Sequence, residues 1–226
     1  MMQRRIVTIE IAGRGPNLLD PAVMARLAAE LVAADDDPQV SGIVITGAGD
    51  VFCGGLDVEA IRAGGDPVEF ASALVDLLRL LPRLGTPVVA RVNGDALASG
   101  AAIVAACDYA VAAHGVRVGT LEVSVGIWPM VAQVPIVKRI GARAAMENIG
   151  AGEPFTAERA AELGLVNRVA APEALDAVVG AWLDAAGRGE PAAVAAGRTT
   201  LYEIDGLDYD AALELALGRF AAMFRR

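Results

Sequence analysis

Histidine and cysteine are nearly absent from this chain of 226 residues, which has one histidine, His114, and two cysteines, Cys53 and Cys107. Two isolated cysteines match neither a disulfide framework nor a zinc-binding array. A single histidine excludes a histidine-rich metal site and an active site built from several histidines. The sequence therefore implies no metal and no redox cofactor.

Basic residues and long apolar runs are also scarce. The chain has 19 Lys and Arg against 28 Asp and Glu, a net charge of −9, which argues against a nucleic-acid partner because general nucleic-acid binders present a basic face. The chain has no run of about 18 apolar residues, so no membrane span is predicted. The N-terminal segment lacks the continuous apolar core of a signal peptide. We therefore expect a soluble, cytoplasmic protein.

Segments typical of strands and helices alternate along most of the chain. Asp-Pro pairs at 20–21 and 66–67 predict helix starts, because aspartate caps a helix and proline fits its first turn. Ser99 predicts a similar cap for a small-residue helix. The predicted strands are 6–11, 42–46, 87–92, 109–112, 117–119 and 167–169, and the predicted helices are 20–34, 66–81, 100–106, 172–186, 191–204 and 207–224. This order predicts an α/β core over 1–170 and a helical region over 171–226.

Two loops of small residues, 51–57 and 93–100, each follow a predicted buried strand. Ligands of α/β sheets bind beyond the carboxyl ends of strands, and glycines let the backbone approach them. Two such turns side by side could donate two N–H groups to one carbonyl oxygen. Tight turns without any ligand would have the same composition. Neither loop matches a phosphate-binding signature.

Four segments carry a resemblance to a known family. In chain order they are SGIVITGAGDVFCGGLDV, TPVVARVNGDALASGAAIVAACDYAVAA, VRVGTLEVSVGIWP and GEPFTAERAAELGLVNRV. They are similar to the signatures of the crotonase (enoyl-CoA hydratase/isomerase) superfamily, including its F-C-A-G-A-D, N-G-x-A-x-G-G-G and F-G-x-P-E motifs. Order and spacing agree with the family from about residue 6 to residue 169.

The resemblance implies a crotonase-like spiral of ββα units, a helical C-terminal trimerisation region, and an acyl-CoA thioester as ligand, with CoA as part of the substrate. The thioester carbonyl would lie in an oxyanion hole formed by the N–H groups of Leu56 and Ser99. Ser99 stands where the family has the middle glycine of G-G-G, and its hydroxyl adds a possible further donor. The residues expected to line the substrate site are Cys53, Gly54, Gly55, Asp57, Asp95, Gly100 and Trp128.

The acidic residues indicate which reaction to expect. Family hydratases use two glutamates, and here the first position holds Ala102 while the second holds Glu122. One base suffices to shift a double bond, since it removes and returns a proton. The sequence therefore favours an enoyl-CoA isomerase, with a hydratase of reduced acid set and a non-catalytic acyl-CoA binder as alternatives. The apolar neighbours of Glu122 predict a raised pKa.

Apolar residues on the last three predicted helices predict an assembly. They are Leu201, Leu207, Leu213, Leu217, Phe220 and Phe224. A small helical region cannot bury them alone, so we expect packing on a neighbouring copy. The resemblance implies a homotrimer or a dimer of trimers.

Overall fold

The computed structural model describes residues 5–224, and these form two β-sheets surrounded by helices. The strands are β1 (Arg5–Ile11), β2 (Val40–Gly47), β3 (Val88–Val92), β4 (Ala96–Leu97), β5 (Tyr109–Ala113), β6 (Arg117–Gly119), β7 (Phe155–Thr156) and β8 (Arg168–Ala170). The helices are α1 (Arg14–Asn17), α2 (Pro21–Asp35), α3 (Val58–Arg62), α4 (Pro67–Leu80), α5 (Ser99–Ala106), α6 (Gln133–Ile149), α7 (Ala157–Leu163), α8 (Leu175–Ala186), α9 (Pro191–Ile204) and α10 (Tyr209–Ala222).

Local sequence sets the beginnings of the long helices. The Asp20 carboxylate accepts a hydrogen bond from the Val23 N–H at 2.8 Å at the start of α2, and Asp66 does the same for Val68 at the start of α4. A proline follows each cap, and its missing N–H costs nothing in the first turn. The predicted helices at 20–34 and 66–81 are confirmed.

The main sheet has five parallel strands in the order β1-β2-β3-β5-β8. Its central strands are β-branched and buried, as predicted for 42–46, and α2, α4 and α8 contribute side chains to the same core. The second sheet, β4-β6-β7, pairs β4 with β6 in parallel and β6 with β7 antiparallel.

Each main strand leads into a short stretch in the second layer and then into a helix. The stretch after β3 is β4, and the one after β5 is β6. The stretches after β1 and β2 are shorter and pair only as isolated bridges, Leu19 with Leu56 and Cys53 with Ala96. This repeated strand–strand–helix turn is the predicted spiral of ββα units. It brings the loops that precede successive helices to one edge of the fold.

The structure differs from the sequence-based prediction at several elements, including the short α1, α3 and β4, which were not predicted. Ala98, not Ser99, is the N-cap of α5, and Ser99 is the first helical residue. The two-residue strand β7 was not predicted, because its partner β6 lies almost 40 residues earlier in the chain. The last helix covers 209–222 rather than 207–224, because Asp208 accepts a hydrogen bond from the Ala211 N–H and begins it there.

The predicted C-terminal region is attached to the core unevenly. Helix α8 buries Leu175, Val179 and Leu183 against the main sheet. Helix α9 is anchored by Arg198, which pairs with Asp108 at 2.8 Å and donates to the backbone carbonyls of Leu81 and Leu84. Helix α10 has no buried residue. The division at residue 170 stays a prediction. None of the helices within 5–224 has the length and hydropathy that crossing a bilayer demands.

Candidate active site

The two small-residue loops are joined by backbone hydrogen bonds. Cys53 and Ala96 form a parallel bridge, in which the Cys53 N–H donates to the Asp95 carbonyl at 3.1 Å and the Leu97 N–H donates to the Cys53 carbonyl at 2.8 Å. Sequence analysis placed these loops side by side only as a hypothesis. The bridge shows that residues 51–57 and 93–100 form one continuous backbone surface.

Small side chains allow this close approach. A Cβ on Gly55 would lie 2.7 Å from the Ala98 Cβ, and Gly55 has a φ of +104° that side chains rarely adopt. A Cβ on Gly100 would lie 2.6 Å from the Cys53 carbonyl oxygen. Both glycines are therefore required by the contact between the loops.

The predicted donors Leu56 and Ser99 occupy equivalent places, each three residues beyond the bridge. Leu19 bonds to the carbonyl of Gly55 and the N–H of Asp57, so the intervening Leu56 N–H faces away from it. Ser99 begins α5, and the first N–H groups of a helix have no intrahelical acceptor. Within residues 5–224, neither N–H donates a hydrogen bond. The positive end of the α5 dipole lies at Ser99 and favours a developing anion there.

Glu122 reaches the same edge through β6, which pairs with β4. The Ala98 N–H donates to the Gly119 carbonyl at 2.9 Å, so the residue before Ser99 is bonded to the strand that leads to Glu122. Burial raises the pKa of the Glu122 carboxyl, as its apolar neighbours predicted. The Leu121 N–H donates a hydrogen bond of 2.9 Å to the Glu122 Oε2, and this bond lowers the pKa of the carboxyl. Leu121 stands where the F-G-x-P-E motif has proline, which has no N–H to donate.

Position 102 offers no second acid. Ala102 is 0% exposed, and its neighbours in α5 are buried as well. Of the two positions at which family hydratases have a glutamate, 102 and 122, only position 122 therefore holds an acidic residue here.

The sequence profile of the family described as enoyl-CoA hydratase/isomerase matches residues 2–203. The chain belongs to this family. A crystal structure of an enoyl-CoA hydratase from Mycobacterium smegmatis has a TM-score of 0.91 at 32% identity, covering 96% of this chain and 86% of that one. These matches confirm the crotonase resemblance and the α/β spiral.

Curated relatives of the family cover part of this chain. A candidate enoyl-CoA hydratase from Thermus thermophilus is 36% identical over 162 residues, 69% of this chain and 64% of its own length. A crotonyl-CoA hydratase from Syntrophomonas wolfei is 31% identical over 163 residues, 70% of this chain and 63% of its own. The matched segment thus spans less than two thirds of either relative.

The other residues expected to contact substrate in this family member have clear partners in the structure. Asp57 is buried, receives two hydrogen bonds from Arg14 and caps α3, and the guanidinium keeps the pKa of its carboxyl below its usual range. The Asp95 carboxylate accepts three hydrogen bonds from Arg117. Both carboxylates therefore already hold loop segments in place. A direct contact of either with substrate stays a prediction.

Cys53, Gly54 and Trp128 complete the predicted set. Burial raises the pKa of the Cys53 thiol to about 12, so it is no nucleophile at neutral pH. The Gly54 N–H donates to the Pro16 carbonyl at 2.8 Å, which ties the loop to α1, the short helix after β1. The Trp128 indole donates to Gln133 at 2.8 Å and leaves 39% of the residue exposed beside the Glu122 turn. Their role as substrate contacts stays a prediction.

Sequence analysis missed two asparagines that fix this region. The Asn93 amide bonds to Thr46, Gly47 and Gly49, which cross-links the ends of β2 and β3 where the first loop begins. Asn148 binds Thr120 just before the Glu122 turn. An Asn-Gly pair such as Asn93-Gly94 by itself indicates only a turn. The cross-links are not visible in the local sequence, because Gly49 lies 44 residues from Asn93 and Thr120 lies 28 residues from Asn148.

Proposed function

We propose that this chain is an acyl-CoA enzyme that forms a thioester enolate and moves one proton with a single base. The observation that carries the proposal is the pair of unbonded N–H groups, Leu56 and Ser99, at equivalent places beyond one backbone bridge. Two backbone donors, one of them at the start of α5, suit a carbonyl oxygen that gains negative charge. The Ser99 hydroxyl would add a further donor.

Glu122 is the base of the proposed reaction. Its carboxylate would take a proton from a carbon of the acyl chain, leaving the electron pair as an enolate on the thioester oxygen between Leu56 and Ser99. The same carboxyl would return the proton to another carbon and so shift the double bond. Burial raises the Glu122 pKa, which strengthens the carboxylate as a base at neutral pH. No cofactor besides the CoA of the substrate is needed for these steps.

Double-bond isomerisation is the favoured reaction because Ala102 cannot transfer a proton. Hydration needs a proton delivered to carbon and a water activated, which one carboxyl serves less well than two. Hydration of a 2-enoyl-CoA is the second candidate, and the names of the relatives favour it, since crotonyl-CoA hydratase is among them. The cytoplasmic location expected from the sequence stays a prediction.

The test compares 2-enoyl-CoA and 3-enoyl-CoA substrates in parallel, using the wild type, Glu122→Gln and Glu173→Gln. Glu122→Gln keeps size and removes basicity, so we expect turnover to fall by about 10²–10⁴, the usual contribution of acid–base catalysis. Glu173 is exposed in the turn before α8, and its variant should keep full activity.

Each candidate function predicts a different outcome. Faster hydration of the 2-enoyl-CoA than isomerisation of the 3-enoyl-CoA would overturn the preference for an isomerase. Turnover that is unchanged in Glu122→Gln would place the chemistry on another group. Binding of butyryl-CoA without turnover of either substrate would identify a non-catalytic acyl-CoA binder.

A further inference from the structure

Asn148 is a polar residue in a place that offers it no water. It lies one residue before the end of α6 and is 0% exposed. Its Oδ1 accepts hydrogen bonds from the Thr120 N–H at 2.8 Å and the Thr120 hydroxyl at 3.0 Å. Its Nδ2 donates to the carbonyls of Thr120 at 2.7 Å and Glu153 at 2.8 Å. Both the oxygen and the nitrogen of the Asn148 amide are therefore hydrogen-bonded, and three of their four partners are backbone groups outside the β-strands.

Thr120 occupies the junction between the two halves of the candidate site. Its neighbour Gly119 ends β6 and accepts the hydrogen bond from Ala98, the residue before Ser99. On the other side, Leu121 and Glu122 follow directly. The Asn148 amide is packed so tightly here that a Cβ on Gly119 would lie 2.8 Å from its Oδ1.

The C-terminal part of the Glu122 turn is exposed. Val125 is 63% exposed and Ile127 is 53% exposed, so apolar burial does not fix that part of the turn. The start of the turn, in contrast, is fixed by the three hydrogen bonds between Asn148 and Thr120. A shift of Thr120 would therefore move Glu122 relative to Ser99, because only Leu121 separates Thr120, the residue that Asn148 contacts, from Glu122.

We propose that Asn148 is a positioning residue for the reaction: by holding both backbone groups of Thr120, it fixes the distance between the Glu122 carboxylate and the Ser99 N–H. The inference rests on the proposed function, in which these two groups act on one acyl thioester. Asn148 itself touches neither the proposed donors nor the base.

The test is a double-mutant cycle of Asn148→Leu with Glu122→Gln. Asn148→Leu keeps the branching and the number of heavy atoms of the side chain and removes all four hydrogen bonds. We expect kcat to fall about 10- to 100-fold, since a misplacement near 1 Å costs about 10²-fold in rate, while KM for the acyl-CoA changes less than about threefold. In the Glu122→Gln background the same change should lower kcat less than about threefold, because the positioned group is already inactive.

A control separates positioning from loss of structure. Asn167→Leu removes the 2.8 Å hydrogen bond that the Asn167 Oδ1 accepts from the Ala110 N–H in the main sheet, so it weakens the fold without touching Thr120. We expect it to lower the melting temperature and leave kcat unchanged. If Asn148→Leu does not melt cooperatively, Asn148→Asp replaces it in the double-mutant cycle. Aspartate has the same size and keeps an oxygen that accepts from the Thr120 N–H, but it cannot donate to the carbonyls of Thr120 and Glu153.

The outcomes distinguish this inference from the proposed function. Equal rate losses from the Asn148 variant in both backgrounds would overturn the positioning role while leaving Glu122 as the base. An unchanged kcat for the Asn148 variant would also overturn it. Unchanged turnover in Glu122→Gln alone would instead overturn the proposed function.

Discussion

Replacing Gly55 by alanine tests whether the contact between the two loops sets the geometry of the proposed oxyanion site. The new Cβ would lie 2.7 Å from the Ala98 Cβ, whereas carbon atoms rest at about 3.5–4.0 Å. The loops must therefore separate by about 1 Å. Since Leu56 and Ser99 directly follow Gly55 and Ala98, this separation would widen the gap between their N–H groups.

The substitution is expected to lower both the rate and the stability. A misplacement of about 1 Å costs about 10²-fold, and complete loss of one oxyanion donor costs about 10²–10³-fold. We therefore expect kcat for the best substrate to fall by about 10²-fold or more. The backbone conformation at Gly55, with φ of +104°, adds about 1–3 kcal/mol of destabilisation for alanine.

Gly64→Ala is the matched control. Gly64 has a similar φ of +114°, but a Cβ there would meet no atom within 4 Å. Both variants should lose about 1–3 kcal/mol of unfolding free energy from backbone strain, and only Gly55→Ala should lose activity. Steady-state assays and thermal melts of both proteins measure the two effects. Rates for the two variants that agree within about threefold would refute the reasoning.

Two further predictions concern charge and assembly. Burial raises the Glu122 pKa above its ordinary value of 4.5, so its ionised form destabilises the fold as pH rises through the folded-state value. Glu122→Gln should therefore raise the melting temperature at about pH 8 and by less at about pH 5, and a gain that grows on acidification would contradict this. We also propose that the exposed apolar side chains of α10, among them Leu217 and Phe220, pack on a neighbouring copy in a homotrimer or a dimer of trimers. Sedimentation at micromolar concentration should give three or six times 23.2 kDa, and a stable monomer would contradict the proposal.

Much of the site could be predicted from the sequence because its parts are local. The loops at 51–57 and 93–100 carry their own glycines, and the positions of Leu56, Ser99 and Glu122 follow from motif spacing. Their chemistry depends on backbone N–H groups and one carboxyl, which a single sequence shows directly. The sequence also shows directly that position 102 holds alanine instead of an acidic residue.

Other features of the site depend on contacts between distant segments. The sequence places Asp95 among the residues expected to line the substrate site, and the structure pairs its carboxylate with Arg117, 22 residues away. The sequence around Asn148 gives no sign that it is buried, and the motif that contains Asn93 does not show which groups it bonds. Their roles arise only where the fold brings unpaired backbone groups against them.

The sequence by itself determined where α2 and α4 begin. Asp20 and Asp66 bond to N–H groups two or three residues along, so a few neighbouring residues suffice to specify these helix starts. Only the tertiary structure decided what holds the loops in register, since Asn148 lies 28 residues from Thr120. It likewise decided where α9 attaches, through Arg198 and Asp108, which are 90 residues apart. A buried polar group takes whichever partner the packed chain places beside it, and no local pattern encodes that choice.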